Sequence, residues 1–229
     1  MKVLPRKFYM NNTKQVARDL LGKELVRKIG RQVLSGIIIE TEAYRGKDDP
    51  ASHAAIKMTN RNKVMFGHAG MSYVYFTYGM YFMLNVVAKS KKQNAGAVLI
   101  RGIYPQIGMK TMIKNRGVKN IQNISNGPGK LTIAMDITMK LHNKDLTKKS
   151  ELYIREGISP KKIHQKSRVG ISKGLEKQWN FSINVKDYFW SSSSSNVHGA
   201  TLLSIFAQSS LSKRITTADI ATAKAMIPT

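Results

Sequence analysis

The sequence predicts a mixed α/β chain of the α+β type, with a largely antiparallel sheet and helices packed beside it. Three observations lead there. The runs "ELVRK", "RQVLSGIIIETEAY", "MSYVYF", "YFMLNVVA" and "AGAVLIRGI" are rich in β-branched or aromatic residues, as strands are. Several follow one another through short polar or glycine-containing turns, which suit antiparallel neighbours better than a regular βαβ series. Helical spacing is confined to a few short stretches, and no repeat of fixed period runs through the chain.

In chain order, Thr13 precedes "KQVARDLLGKELV", where Val16, Ala17, Leu20 and Leu21 follow helical spacing and Gly22 can end the helix. "ELVRK" and "RQVLSGIIIETEAY" flank the turn-like "KIGR" and predict a hairpin with a long second strand. Gly46 and Asp49-Pro50 mark "RGKDDPASHAA" as a loop, after which "TNRNKVMFG" is a short helix capped by Thr59. "MSYVYF" and "YFMLNVVA" are strands around "TYGM", where Gly79 supplies the permissive turn position. After the polar "KSKKQN", "AGAVLIRGI" is a further strand. Pro105 is expected to open a helix to about Arg116, "NGPGKLTIAMDI" has helical spacing behind a glycine-rich entry, and "ELYIREG" reads as a strand. Beyond Trp190 a serine run begins. The expected organisation is a domain over residues 1–190 and a Ser-rich linker with a flexible tail over 191–229, in which "TTADIATAKAM" is a weak helix without assigned chemistry.

Charge separates the functional classes. Lys and Arg number 38 against 13 Asp and Glu, a formal net charge of +25. Solubility calls for roughly 2–8 charges on a small domain, so a polyanionic partner is expected. A membrane-surface role would need a basic amphipathic helix, and the densest basic region, Lys161 to Arg168, is too short and polar. No run approaches the ~18 apolar residues of a membrane span, and "MKVLPRKFYM" lacks the apolar core of a signal peptide, so an intracellular protein is expected. Cysteine is absent, which excludes disulfides, Cys-ligated zinc and iron–sulfur clusters. The five histidines have neither HxxxH nor HExxH spacing, so neither metal nor cofactor is expected.

Two stretches suggest chemistry. In "GIIIETEAY" an apolar run leads into Glu40 and Glu42, which lie two apart and so share one face of a strand. Carboxylates presented at such a place can serve as general bases, and the residues alone do not choose between the two. An ordinary strand end, its glutamates paired with lysines, is the competing reading. In "SYVYFTYGMYFMLN" the turn residues Tyr78, Gly79, Met80 and Tyr81 form an exposed tip. In so basic a chain, an aromatic and Met tip can act as a wedge between bases, and flat rings can stack on a base that has left the helix. Wedge, stacking walls and a carboxylate are together what a base-flipping enzyme needs.

The blocks "ARDLLGKELV", "GIIIETEAYRGKDDPASHA", "TNRNKVMF", "YVYFTYGMYFMLNVV", "AVLIRGIYP" and "NGPGKLTIAM" resemble, in this order, the 3-methyladenine DNA glycosylase family of the alkyladenine DNA glycosylase type. The resemblance runs from about Leu4 to Trp190. It implies a single compact domain with a curved antiparallel sheet, a protruding hairpin that enters DNA, and a monofunctional glycosylase. Such an enzyme flips a damaged purine from duplex DNA and hydrolyses its N-glycosidic bond with water. By the same resemblance Glu42 is the general base and Arg101 helps to hold the water. Tyr44, His53 and Tyr75 stack on the flipped base, and Asn85 at the pocket floor excludes guanine. Tyr78 enters the gap in the duplex, with Met80 and Tyr81 bracing it.

Lys130 in "NGPGK" and the clusters "KSKK", "TKK" and "SPKKIHQK" are candidate phosphate contacts, and Gly127 and Gly129 can admit a strand close to the backbone. The partner implied is double-stranded DNA carrying damaged purines, bound by a monomer. A non-catalytic protein that binds single-stranded RNA with the same tyrosines is the alternative, and Glu42 discriminates, since a pure binder gains nothing from an acid facing the backbone.

Overall fold

A computed structural model of the chain describes residues 1–120, 123–184 and 187. Its centre is an antiparallel sheet built from β1 (Glu24–Ile29), β2 (Gln32–Arg45), β3 (Ser72–Thr77), β4 (Tyr81–Val87), β5 (Gly96–Ile107) and β6 (Leu152–Arg155). The strands lie in the order β3-β4-β5-β2-β1-β6. Two short strands, β7 (His164–Lys166) and β8 (Asn180–Ser182), complete it, β8 pairing with both β7 and β2. Residues 1–184 form one compact unit. The expected tail over 191–229 lies outside the described residues.

The long strand β2 organises the site. Its first half pairs with β1, Glu24 opposite Ile37, and its second half takes β8 on that edge, Glu42 opposite Asn180. On the other edge β5 runs alongside with two interruptions of register, Ile38 opposite Ile103, Glu40 opposite Gly102 and Thr41 opposite Ile100. Ile39 and Arg101 are therefore extra residues on facing strands. Bulges bend a strand and re-aim its side chains, and here one of the re-aimed residues is Arg101.

Among the described residues four α-helices flank the sheet: α1 (Arg6–Tyr9), α2 (Thr13–Asp19), α3 (Met109–Arg116) and α4 (Pro128–Ala134). Asn12 caps α2 by accepting from the Lys14 amide at 3.0 Å, so the helix begins at Thr13, one residue earlier than expected. Val16 and Ala17 of α2 are buried, and the Thr41 hydroxyl donates to the Ala17 carbonyl at 2.7 Å, fixing the helix to β2.

Two expectations need correction. Pro105 does not open a helix; it lies inside β5 opposite Gly36, and α3 begins after Gly108. A proline is tolerated there because β4 pairs only with residues 97–99 of β5, so the missing N–H breaks no bond to β4. The helix expected at Thr59 is a 3₁₀ turn over Lys63–Phe66, and Thr59 instead closes the tight turn before it, accepting from the Asn62 and Lys63 amides.

Candidate active site

Glu42 lies in the last third of β2, with its side chain wholly buried. Its Oε2 accepts from the Tyr44 hydroxyl at 2.8 Å and from Arg101 Nη1 at 3.3 Å. Its Oε1 accepts from the Val169 amide at 2.8 Å and from Asn180 Nδ2 at 2.9 Å. Donors from β2, β5, β8 and the 166–169 segment thus converge on one carboxylate, four bonds on a group with about four acceptor sites. Glu40, partly exposed, shares two of these partners, with Arg101 Nε at 3.2 Å and Asn180 Nδ2 at 2.8 Å. The pair does face one way, as the strand period requires, but Glu42 is no ordinary strand end paired with surface lysines.

A buried ion pair holds the loop after β2 against the 166–169 segment. Asp49 and Arg168 are both fully buried in their side chains and meet twice, Oδ2 to Nη1 at 2.7 Å and Oδ1 to Nη2 at 2.8 Å. Asp49 also accepts from the Arg45 and Ala51 amides, so it shapes its own loop. Arg168 donates to the Ala43 carbonyl at 3.0 Å, and its guanidinium stacks on Tyr44 and Trp179 at 4.8 and 5.3 Å. This clamp sets Val169 beside Glu42.

In front of the carboxylate opens a cavity of about 310 Å³, bordered by Tyr44, His53, Tyr75, Asn85, Arg101 and Tyr78 among others. That size is at the small end of ligand pockets, ~300–1,000 Å³, and suits one heterocyclic base. Tyr75 and His53 meet edge to face at 4.7 Å, and Arg61 stacks on Tyr75 at 5.0 Å. Burial, opposed by that guanidinium, pushes the Tyr75 hydroxyl up to about 12. Burial first, then the Glu42 charge, pushes the Tyr44 hydroxyl well above the usual range. Both rings therefore stay neutral, and Tyr44 keeps the proton it donates.

His53 opens to solvent on one side, yet enough protein surrounds the ring that burial lowers its pKa, with help from the Arg61 charge. Its Nδ1 lies 2.9 Å from the hydroxyl of buried Tyr73. Asn85 is buried, with Nδ2 donating to the Tyr73 carbonyl at 3.1 Å. The buried Asn62 amide donates to the carbonyls of His53 and Lys57, which cinches the His53 loop.

At the far end of the β3–β4 hairpin Tyr78 is 77% exposed and Met80 62%. Tyr78 and Gly79 have φ of 52° and 67°, and the Met80 amide donates to Thr77 at 3.2 Å. Positive φ at two successive turn residues matches the twist of the paired strands, and Asn-Gly is the sequence such turns favour. Tyr81 is not at this tip. It begins β4, half-buried, and its ring covers Gly129, where a Cβ would come within 2.9 Å of the ring. The small residue at 129 thus admits Tyr81, rather than leaving open space beside the backbone. Lys130, on α4, donates to Asn126 Oδ1 at 3.0 Å.

The family model for methylpurine-DNA glycosylase matches residues 7–187 of this sequence, the whole span that builds the site. The chain belongs to that family. Among the relatives that bear the name "Putative 3-methyladenine DNA glycosylase" are those of three organisms. That of Prosthecochloris aestuarii is 45% identical over 186 residues, 80% of this chain and 88% of its own. That of Methanocella arvoryzae is 45% identical over 185 residues, 79% and 92% of the two chains. That of Carboxydothermus hydrogenoformans is 42% identical over 188 residues, 81% and 97% of the two chains.

By family this chain is a monofunctional DNA glycosylase, a DNA-repair enzyme whose substrate is DNA, as the sequence resemblance implied. Among the described residues no helix is long and apolar enough to cross a membrane. The site of this glycosylase also contains residues that the sequence reading did not select: Asp49, Arg168, Val169 and Asn180 on the side of the carboxylate, and Arg61, Asn62 and Tyr73 on the side of the cavity. A faint signal existed for Asn180, since "WNFSI" alternates as a short strand does.

Proposed function

We propose that this glycosylase turns an alkylated or deaminated purine out of duplex DNA and hydrolyses its N-glycosidic bond with a water activated by Glu42. The bases in view are 3-methyladenine and 7-methylguanine, with hypoxanthine and etheno-adenine as further candidates. A buried carboxylate held by four donors behind an aromatic cavity carries this reading.

In the proposed step, the sugar–base bond breaks with its electron pair leaving on the base, so positive charge grows on the sugar. Ionised Glu42 stabilises that charge and takes a proton from the water whose oxygen bonds to the sugar carbon. An already cationic methylated purine departs neutral, so it needs no acid. Both oxygens of Glu42 already hold two donors, so the water gains an acceptor only where one yields. The longest bond, 3.3 Å, comes from Arg101, which also lines the cavity. Arg101 is thus the residue to hold the water against Glu42. Tyr44, His53 and Tyr75 enclose the base, and Asn85 meets the edge where guanine carries its amino group.

Tyr78, with Met80 beside it, fills the space that the flipped nucleotide leaves, and Tyr81 supports the hairpin from its base. Tyr78→Asn is expected to separate wedge from scaffold. Asn-Gly suits the turn better, so the melting temperature should rise or hold, while lesion-duplex affinity falls and single-strand affinity changes less. Equal loss on both substrates would make Tyr78 a structural residue. Lys130 and the lysine clusters supply phosphate contacts for a monomer on DNA, so log affinity should fall linearly with log salt for damaged and intact duplex alike.

Non-catalytic binding to single strands leaves the donors around Glu42 without a purpose. Single-turnover assays on a duplex with one hypoxanthine or methylated purine test the choice, with alkali revealing abasic sites. No release by folded protein that still binds DNA in a salt-sensitive way would replace hydrolysis with binding.

A further inference from the structure

We infer that Asn180 is a positioning residue that keeps the two carboxylates Glu40 and Glu42 together in their ionised, proton-accepting state; the inference rests on Glu42 acting as the base. A side-chain amide has two N–H donors on one nitrogen. Asn180 spends both on carboxylates, Glu40 Oε1 at 2.8 Å and Glu42 Oε1 at 2.9 Å. The price is visible at its other end: Asn180 is fully buried, and its Oδ1 has no hydrogen-bond partner. Turning the amide over would give Oδ1 no donor from these groups and would set it against two carboxylates. The donors are therefore what this position supplies.

The surrounding charges explain why a neutral donor belongs here. Facing the pair are Tyr44 from β2, Arg101 from β5, Lys166 from β7, the Val169 amide and, through its field, Tyr75 from β3. Arg101 bridges both carboxylates, whereas Lys166 is largely exposed and reaches only Glu40, at 3.7 Å. One inward cation thus serves two anions. Asn180 forms a second bridge between them without adding charge, and the ladder holds it in place, since its backbone lies opposite Glu42 on one side and Lys166 on the other.

The test is the pH profile of single-turnover base release by the full chain, with a methylated-purine duplex, for wild type, Asn180→Asp, and Asn180→Asp combined with Glu40→Gln. Asn180→Asp keeps the shape, removes the donors and adds a third carboxylate that competes for protons. Its acid limb is expected to move to higher pH by on the order of one unit, ~tenfold in rate at a fixed pH on that limb, with lesion-duplex affinity little changed. Adding Glu40→Gln, which removes one of the crowded charges, should move the limb back toward wild type.

A rate lowered by one factor at every pH, or a profile like wild type, would overturn the inference and leave Asn180 a packing residue. Should Asn180→Asp not fold, Asn180→Ser serves: its single hydroxyl hydrogen can satisfy only one carboxylate, so the limb should move the same way by less, and a wild-type profile would overturn the inference. Wild type without base release would overturn the reading of Glu42 and this inference with it. Release by wild type with unmoved limbs in the variants would overturn this inference alone.

Discussion

Glu42→Gln is expected to lower single-turnover release of a methylated purine by at least ~10²-fold, the lower range of what a positioned general base contributes. Affinity for lesion duplex should stay within a small factor of wild type. Both halves follow from where the side chain sits. It is fully buried behind Tyr44 and Arg101, so bound DNA loses no direct contact when the carboxylate becomes an amide. The amide, however, cannot take the proton of the attacking water, and its NH₂ group must face donors that formerly met an oxygen. Excision at the wild-type rate by the Gln variant would remove Glu42 from the chemistry and return attention to Glu40.

The largest expected loss of stability comes from Asp49→Ala. It leaves Arg168 buried without its counter-ion, and breaking a buried pair on one side costs about 3–5 kcal/mol. For a domain of this size that corresponds to a fall in melting temperature of roughly 6–20 °C. The double variant Asp49→Leu with Arg168→Met should recover much of this loss, because the desolvated charge goes with its partner. It should not recover the rate of base release, since Val169 and Tyr44 lose the guanidinium that orders them. A loss below ~1 kcal/mol in Asp49→Ala would mean that the pair is no clamp. Thermal melts and denaturant titrations of the three proteins decide the matter.

How far the sequence could be read depended on the range of the interactions involved. β2 and the β3–β4 hairpin were legible because alternation and β-branching are local properties, and the face shared by Glu40 and Glu42 followed from the strand period. The aromatic cavity wall was legible through the family resemblance, and Tyr44, His53, Tyr75, Asn85 and Arg101 do border one cavity. What failed was set by distant partners. Pro105 looked like a helix start because the gap in β5's pairing with β4 cannot be seen along the chain. Tyr81 looked like part of the tip because Gly129, far along the chain, receives its ring. Asp49 and Arg168 are separated by 119 positions, and neither is unusual in its own neighbourhood.

The same geography bears on the working range of the enzyme. Half the donors on Glu42, the Val169 amide and the Asn180 side chain, belong to the stretch from β7 through β8, which joins the sheet through three-residue pairings and is held to the loop after β2 by the Arg168–Asp49 pair. Short ladders open more readily than long ones, and proteins commonly release such units while the rest stays folded. Were residues 163–182 to lift in this way, the long strands and most of the aromatic wall would persist, but the carboxylate would lose its aim. Heat inactivation is then expected to precede unfolding once the Arg168–Asp49 pair gives way, the first governed by one small flap and the second by the sheet beneath it.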